Sequence, residues 1–198
     1  MVTIYVEGGG DTASLKSQCR RAFSDLLRKA GFAGKMPSVR AMGSRRAAFD
    51  AFETALGDRR KSEFVVLLVD SEEIPASKDA WAHLKARDGW NRPDGASDEH
   101  AQLMVACMES WLIADAEALE EYFGPEFKKD KLPITELETR SKEDVLNAIA
   151  AATAPSRPKG KYGKARDSFK LLGQIDPEKL RNTCAWAKRF FEALGKHC

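Results

Sequence analysis

The chain has 198 residues, 43% hydrophobic and 31% charged, with a formal net charge of +2 and four cysteines. One core of that size folds without disulfide or metal staples, and the composition excludes a disordered chain. No apolar run approaches the ~20 residues of a membrane span, so no membrane partner is expected. The opening residues lack the features of a secretory leader. Cys19, Cys107, Cys184 and Cys198 stand far apart, at neither zinc nor redox-motif spacing. A reduced, cytoplasmic protein is the expectation.

The small net charge conceals a division. Residues 1–62 carry +6, residues 63–152 carry −11 and residues 153–198 carry +7. Such runs are often solvated helix faces. They also suit a cation held in the middle with phosphates around it.

Residues 2–7, β-branched and aromatic, predict a buried first strand. Gly8, Gly9 and Gly10 end it, and Asp11 or Thr12 can cap the next element. Leu15, Cys19, Phe23, Leu26, Leu27 and Ala30 then recur at helical spacing before Gly31. Residues 38–42 predict a short second strand. Gly43 and Ser44 open a second helix with Ala48, Phe52, Ala55 and Leu56 on one face. The continuous apolar run 64–69 predicts a strand inside a parallel sheet.

Residues 71–98 are rich in charge, Pro, Gly and Trp, and predict a long loop with one short helix around Trp81. Residues 102–107 fit either a fourth strand or the start of a helix running to Trp111. After Trp111 the pattern turns helical. Ala116–Phe123 is one helix, and Ser141 to Asp144 resembles a capping box leading into residues 145–152. A basic linker covers residues 154–160. Asp176 and Pro177 open a last helix with Leu180, Cys184, Ala187, Phe191 and Leu194 on one side.

This order predicts an α/β fold: a mostly parallel, Rossmann-like sheet over residues 1–112, flanked by helices. Residues 113–198 form a helical extension packed on that core as one unit. Ligands of such sheets bind beyond the carboxyl ends of the strands. In a flavodoxin-like order, strands one and three are neighbours, which brings Glu7 near Asp70 and Glu72. Three carboxylates repel one another unless something positive sits among them. Oxygen ligands suit Mg²⁺ or Mn²⁺, which can orient water and stabilise charge in phosphodiester cleavage.

Arg45, Arg46 and the stretch Lys159, Lys161, Lys164 and Arg166 around Tyr162 offer phosphate contacts, or simply a solvated basic face. Gly9 and Gly10 add a turn that phosphate can approach. Gly8, Gly10 and Ala13 also match a dinucleotide fingerprint formally, with Arg45 and Arg46 placed for a 2′-phosphate. Glu7 sits where the pyrophosphate would approach and argues against that use. Trp81, Trp90 and Trp111 suit base stacking or core. His83 and His100 suit a general base or a structural role.

A Glu after the first strand and an Asp-x-Asp after the third is the pattern of the TOPRIM domain. Residues 4–11, 67–73, 108–111 and 161–164 resemble a TOPRIM-like family of bacterial proteins often encoded beside defence ATPases, related to OLD-family nucleases. The resemblance implies a Mg²⁺-dependent nuclease of TOPRIM type acting on DNA or RNA, tRNA included, as effector of a phage-defence system. It implies Glu7, Asp70 and Glu72 as catalytic metal ligands, with Glu109 as a further acid. Glu72 stands where the pattern has its second Asp. That departure keeps open a chemically silent TOPRIM-like module docking on an ATPase, and the glycine fingerprint keeps open a third reading, an NADP-binding oxidoreductase.

Overall fold

In the computed structural model, which describes residues 1–58 and 63–198, the apolar runs form four strands. These are β1 (Val2–Glu7), β2 (Ser38–Gly43), β3 (Phe64–Asp70) and β4 (Ala101–Met104). All pair in parallel in the order β2-β1-β3-β4. Alternation along the strands feeds two cores. Ile4, Val6, Val66 and Leu68 face one, and Tyr5, Val65, Leu67 and Val69 face the other.

Helix α1 (Ala13–Leu27) covers the first face with Phe23, Leu26 and Leu27. Helices α2 (Arg45–Gly57) and α3 (Ala80–Asp88) cover the second with Phe49, Phe52, Trp81 and Leu84. Thr12, Ser44 and Asp79 cap these helices through side-chain oxygens. The fold is thus the Rossmann-like α/β arrangement expected, with a helical C-terminal part. The undecided segment is both things at once: β4 ends at Met104, and α4 (Glu109–Ile113) begins after Ala106 turns with φ of 59°.

The remaining helices are α5 (Ala116–Phe123), α6 (Lys142–Thr153), α7 (Lys164–Leu172), α8 (Pro177–Thr183) and α9 (Ala185–His197). They share the α1 side of the sheet. Trp111 lies between Phe23 and Phe190, with ring centroids at 6.4 and 5.8 Å. Two features differ from expectation. Helix α7 follows the basic linker where no element is predicted, and its buried side includes Asp167 and Ser168 beside Leu171 and Leu172. The single last helix is two, broken at Cys184, where the Glu138 carboxylate accepts from Trp186 N at 3.0 Å and caps α9.

All four cysteines are free, three of them buried. No described helix is long and apolar enough to cross a membrane.

The glycine turn after β1 is a packing device. Gly8 and Gly43 exchange backbone hydrogen bonds of 3.0 and 2.9 Å. A Cβ on Gly43 would lie 2.5 Å from the Gly10 carbonyl oxygen, and one on Gly9 would lie 2.7 Å from Lys16 Cα. Both residues also have positive φ, +86° and +84°. Gly43→Ala is therefore expected to lower stability by about 1–3 kcal/mol or more. Gly195→Ala, in α9 with nothing within 4 Å of an added Cβ, is expected to gain about 0.5–1 kcal/mol. Urea titration of the two variants checks both signs.

Candidate active site at the carboxyl end of the sheet

Glu7 ends β1 and Asp70 ends the adjacent β3, so both carboxyl groups come to one sheet edge. Asp70 is only 6% exposed. Its Oδ1 accepts from Met108 N at 2.9 Å, while Oδ2 faces Lys164 Nζ at 4.0 Å, beyond hydrogen-bond distance. Burial pushes its pKa up to about 7; Lys164 opposes this, and Glu7 and Glu109 add to it. Glu7 Oε2 accepts from Asp70 N at 3.3 Å. Burial raises the Glu7 pKa as well, against Arg45 and with Glu72.

The other two acids are held differently. Glu72 has φ of 67°, and both its carboxylate oxygens lie 2.7 Å from Lys142 Nζ. Glu109 is fully buried. It accepts from Tyr162 OH at 3.0 Å and lies 3.4 Å from Lys164 Nζ. Burial and the Glu109 charge push the Tyr162 phenol up in pKa. For Lys164, burial works against the charge, but Glu109 and Asp70 outweigh it and hold the ammonium above the ordinary lysine value.

Arg45 is a strut rather than a free cation. Its guanidinium meets Asp88 with two bonds, 2.9 and 2.6 Å, and lies 3.4 Å from Glu7 Oε2. It also donates to the Asp70 carbonyl and lies 5.2 Å from the Trp90 ring centroid. One largely covered side chain thus ties the ends of β1 and β3 together.

A cleft of about 440 Å³ opens at this edge. Glu7, Gly9, Gly10, Asp70 and Lys164 are among its polar lining; Leu15, Met104, Met108 and Phe169 are its apolar lining. The remaining expected contacts lie elsewhere. Arg46 pairs with Asp50 at 2.8 Å on the outside of α2. Arg166 is fastened to Asp167 at 2.9 and 2.8 Å and to the Lys161 carbonyl at 2.7 Å, with the Lys161 side chain exposed. Glu72 and Glu109 couple to the cleft acids without lining it. Trp81, Trp90 and Trp111 are buried in the core. His83 bonds the Ser71 carbonyl at 2.9 Å, and His100 bonds Ser97.

Three participants escape a local reading of the sequence: Lys142, Asp88 and the Tyr162 hydroxyl. For Lys142 a signal exists. Arg45, Lys142 and Lys164 are each the first residue of a helix, directly after the caps Ser44, Ser141 and Gly163. A cation there opposes the helix dipole, which marks it as having an acidic partner elsewhere.

Among the described residues, no group of three or more His, Cys, Asp or Glu side chains is arranged to hold a metal ion. Mg²⁺, however, keeps several waters and is commonly bound through one or two carboxylates plus substrate phosphate. Glu7 and Asp70, two hard oxygen donors on one cleft, fit that demand.

Asp70 also gives a pH signature. Well below pH 4 it is neutral in folded and unfolded chains alike. As pH rises to about 7, the unfolded chain ionises while the folded one keeps its proton, so stability falls over that window and stays lowered above it. Asp70→Asn keeps an acceptor for Met108 N and removes the charge. Its metal-free melting temperature is expected above wild type at pH 8, with the gap closing towards pH 4. Each kcal/mol relieved moves the midpoint by about 2–4 °C. A lower midpoint at pH 8 would mean that the carboxylate stabilises the fold.

The family model described as "Domain of unknown function (DUF4276)" matches residues 6–195. No curated protein and no solved structure matches the chain. With the match spanning both the sheet and the C-terminal helices that supply Lys142 and Lys164, the chain belongs to the DUF4276 family.

Proposed function

We propose that this chain is a divalent-metal-dependent nuclease that hydrolyses phosphodiester bonds of DNA or RNA in the cleft beside β1, β3 and α7. The observation that carries this is the convergence of Glu7 and Asp70 in one cleft with the Lys164 ammonium beside them. Glu7 and Asp70 would hold Mg²⁺ or Mn²⁺. The bound ion supplies Lewis-acid stabilisation of the phosphoryl oxygens and a more acidic water.

The chain's own residues do the rest. Lys164 holds a non-bridging phosphate oxygen, and its charge is secured by Glu109. Tyr162 fixes the Glu109 carboxylate, and hence where Lys164 can sit. Arg45 holds Glu7 at the strand end, so that its second oxygen is free to face the cleft. The resemblance to TOPRIM-like proteins encoded beside defence ATPases supports a role as effector of a phage-defence system with an ATPase partner.

One observation favours a second reading. Glu72, at the position of the second TOPRIM acid, has both oxygens on Lys142. A module that docks on an ATPase without chemistry fits that arrangement. Calorimetry with Mn²⁺ and a cleavage assay on single- and double-stranded substrates separate the two. The nuclease should bind Mn²⁺ and cleave, and Glu7→Gln and Asp70→Asn should each reduce cleavage on the order of 10²-fold or more while weakening the ion. The silent module predicts no cleavage and no response of Mn²⁺ binding to either substitution.

A further inference from the structure

The cleft lining is chemically mixed. Glu7, Asp70 and Lys164 give it carboxyl and ammonium groups, whereas Leu15, Met108 and Phe169 give it apolar surface. Its volume of about 440 Å³ is in the range of sites that enclose small molecules. Asp70 is 6% exposed. A phosphodiester therefore reaches it only by entering the cleft.

Helix α7 brings both kinds of group to the cleft, since Lys164, Ala165, Ser168 and Phe169 all line it. The Phe169 ring is half-buried, and an added Cβ on Gly8 would lie 3.7 Å from its Cζ. The ring therefore stands beside the end of β1 that carries Glu7. Met108 adds a polarizable thioether to the same lining.

We infer that the cleft takes a single-stranded nucleic-acid segment, with one unpaired base against Phe169 and Met108 and its phosphate beside Lys164. A duplex keeps its bases paired and stacked, and can place one against a recessed ring only by unstacking it. A single strand has no such cost, and every base offers a π-face to an aromatic side chain. The inference rests on the proposed nuclease reading, which brings the phosphate to Asp70.

Fluorescence anisotropy tests it with a labelled ten-nucleotide single strand of DNA, the same sequence as RNA, and the blunt DNA duplex. The titrations are run in Ca²⁺ with the oligonucleotides verified intact. At least one single strand should bind tenfold or more tighter than the duplex. Phe169→Leu, which keeps apolar bulk, should lose about fivefold or more in single-strand affinity, the low end of what removing a base–aromatic stack costs. Phe169→Tyr should retain it. Equal affinity for duplex and single strand, or no loss in Phe169→Leu, overturns the inference. Asp70-dependent cleavage of duplex and single strand alike would also overturn it while leaving the nuclease reading intact. Single-strand preference lost in Phe169→Leu, without cleavage in Mg²⁺ or Mn²⁺, would uphold the inferred ligand and remove the nuclease.

Discussion

A carboxyl group taken out of water at the end of a parallel strand must find donors and cations in whatever packs beside it. Four acids meet this demand around the end of β3, and three helices answer it. Arg45 of α2 reaches Glu7, Lys142 of α6 reaches Glu72, and Lys164 of α7 reaches Glu109 and Asp70. Each cation is the first residue of its helix, where the dipole disfavours it. The acids crowd one another and the cations oppose their own helices. Each unfavourable feature offsets part of the other.

This compensation makes the C-terminal helices part of the site. The sheet alone would present Glu7 and Asp70 with Arg45, but without the lysines that moderate the remaining charge. Helix α4 brings Glu109, and the turn before it gives the Met108 N–H to Asp70. Asp115 then accepts from Asp176 N at 2.9 Å and Lys179 Nζ at 2.6 Å, fastening α8 behind this region. Asp70 remains the least compensated of the four. Its outer oxygen has an ammonium at 4.0 Å, while Glu72 has one at 2.7 Å. A divalent ion entering the cleft would relieve Asp70 most.

How much the sequence discloses depends on the range of the forces involved. The strands β1 and β3 are legible because a parallel strand buried on both faces must be apolar throughout. Their order put Glu7 beside Asp70, and the two do share the cleft. Ser141 caps α6 as its spacing suggests. In α7 the helical period is present, but the burial of Asp167, held by Tyr122, Arg166 and Gly163, is set by those partners and leaves no local pattern. Partners at sequence separations of 70 and 43, Lys142 with Glu72 and Arg45 with Asp88, leave no local pattern. The break at Cys184 has the same origin, since the cap on α9 comes from Glu138.

The central claim is that Glu7 and Asp70 together form a divalent-ion site in the cleft beside Lys164. The most direct measurement is the anomalous difference map of a crystal soaked in Mn²⁺. The account predicts a peak in the cleft with oxygens of both Glu7 and Asp70 near 2.1–2.2 Å, a distance typical of hard divalent ions of this size. That peak should vanish in an Asp70→Asn crystal. A cleft without a peak at saturating Mn²⁺, or a peak that persists unchanged in Asp70→Asn, would contradict it.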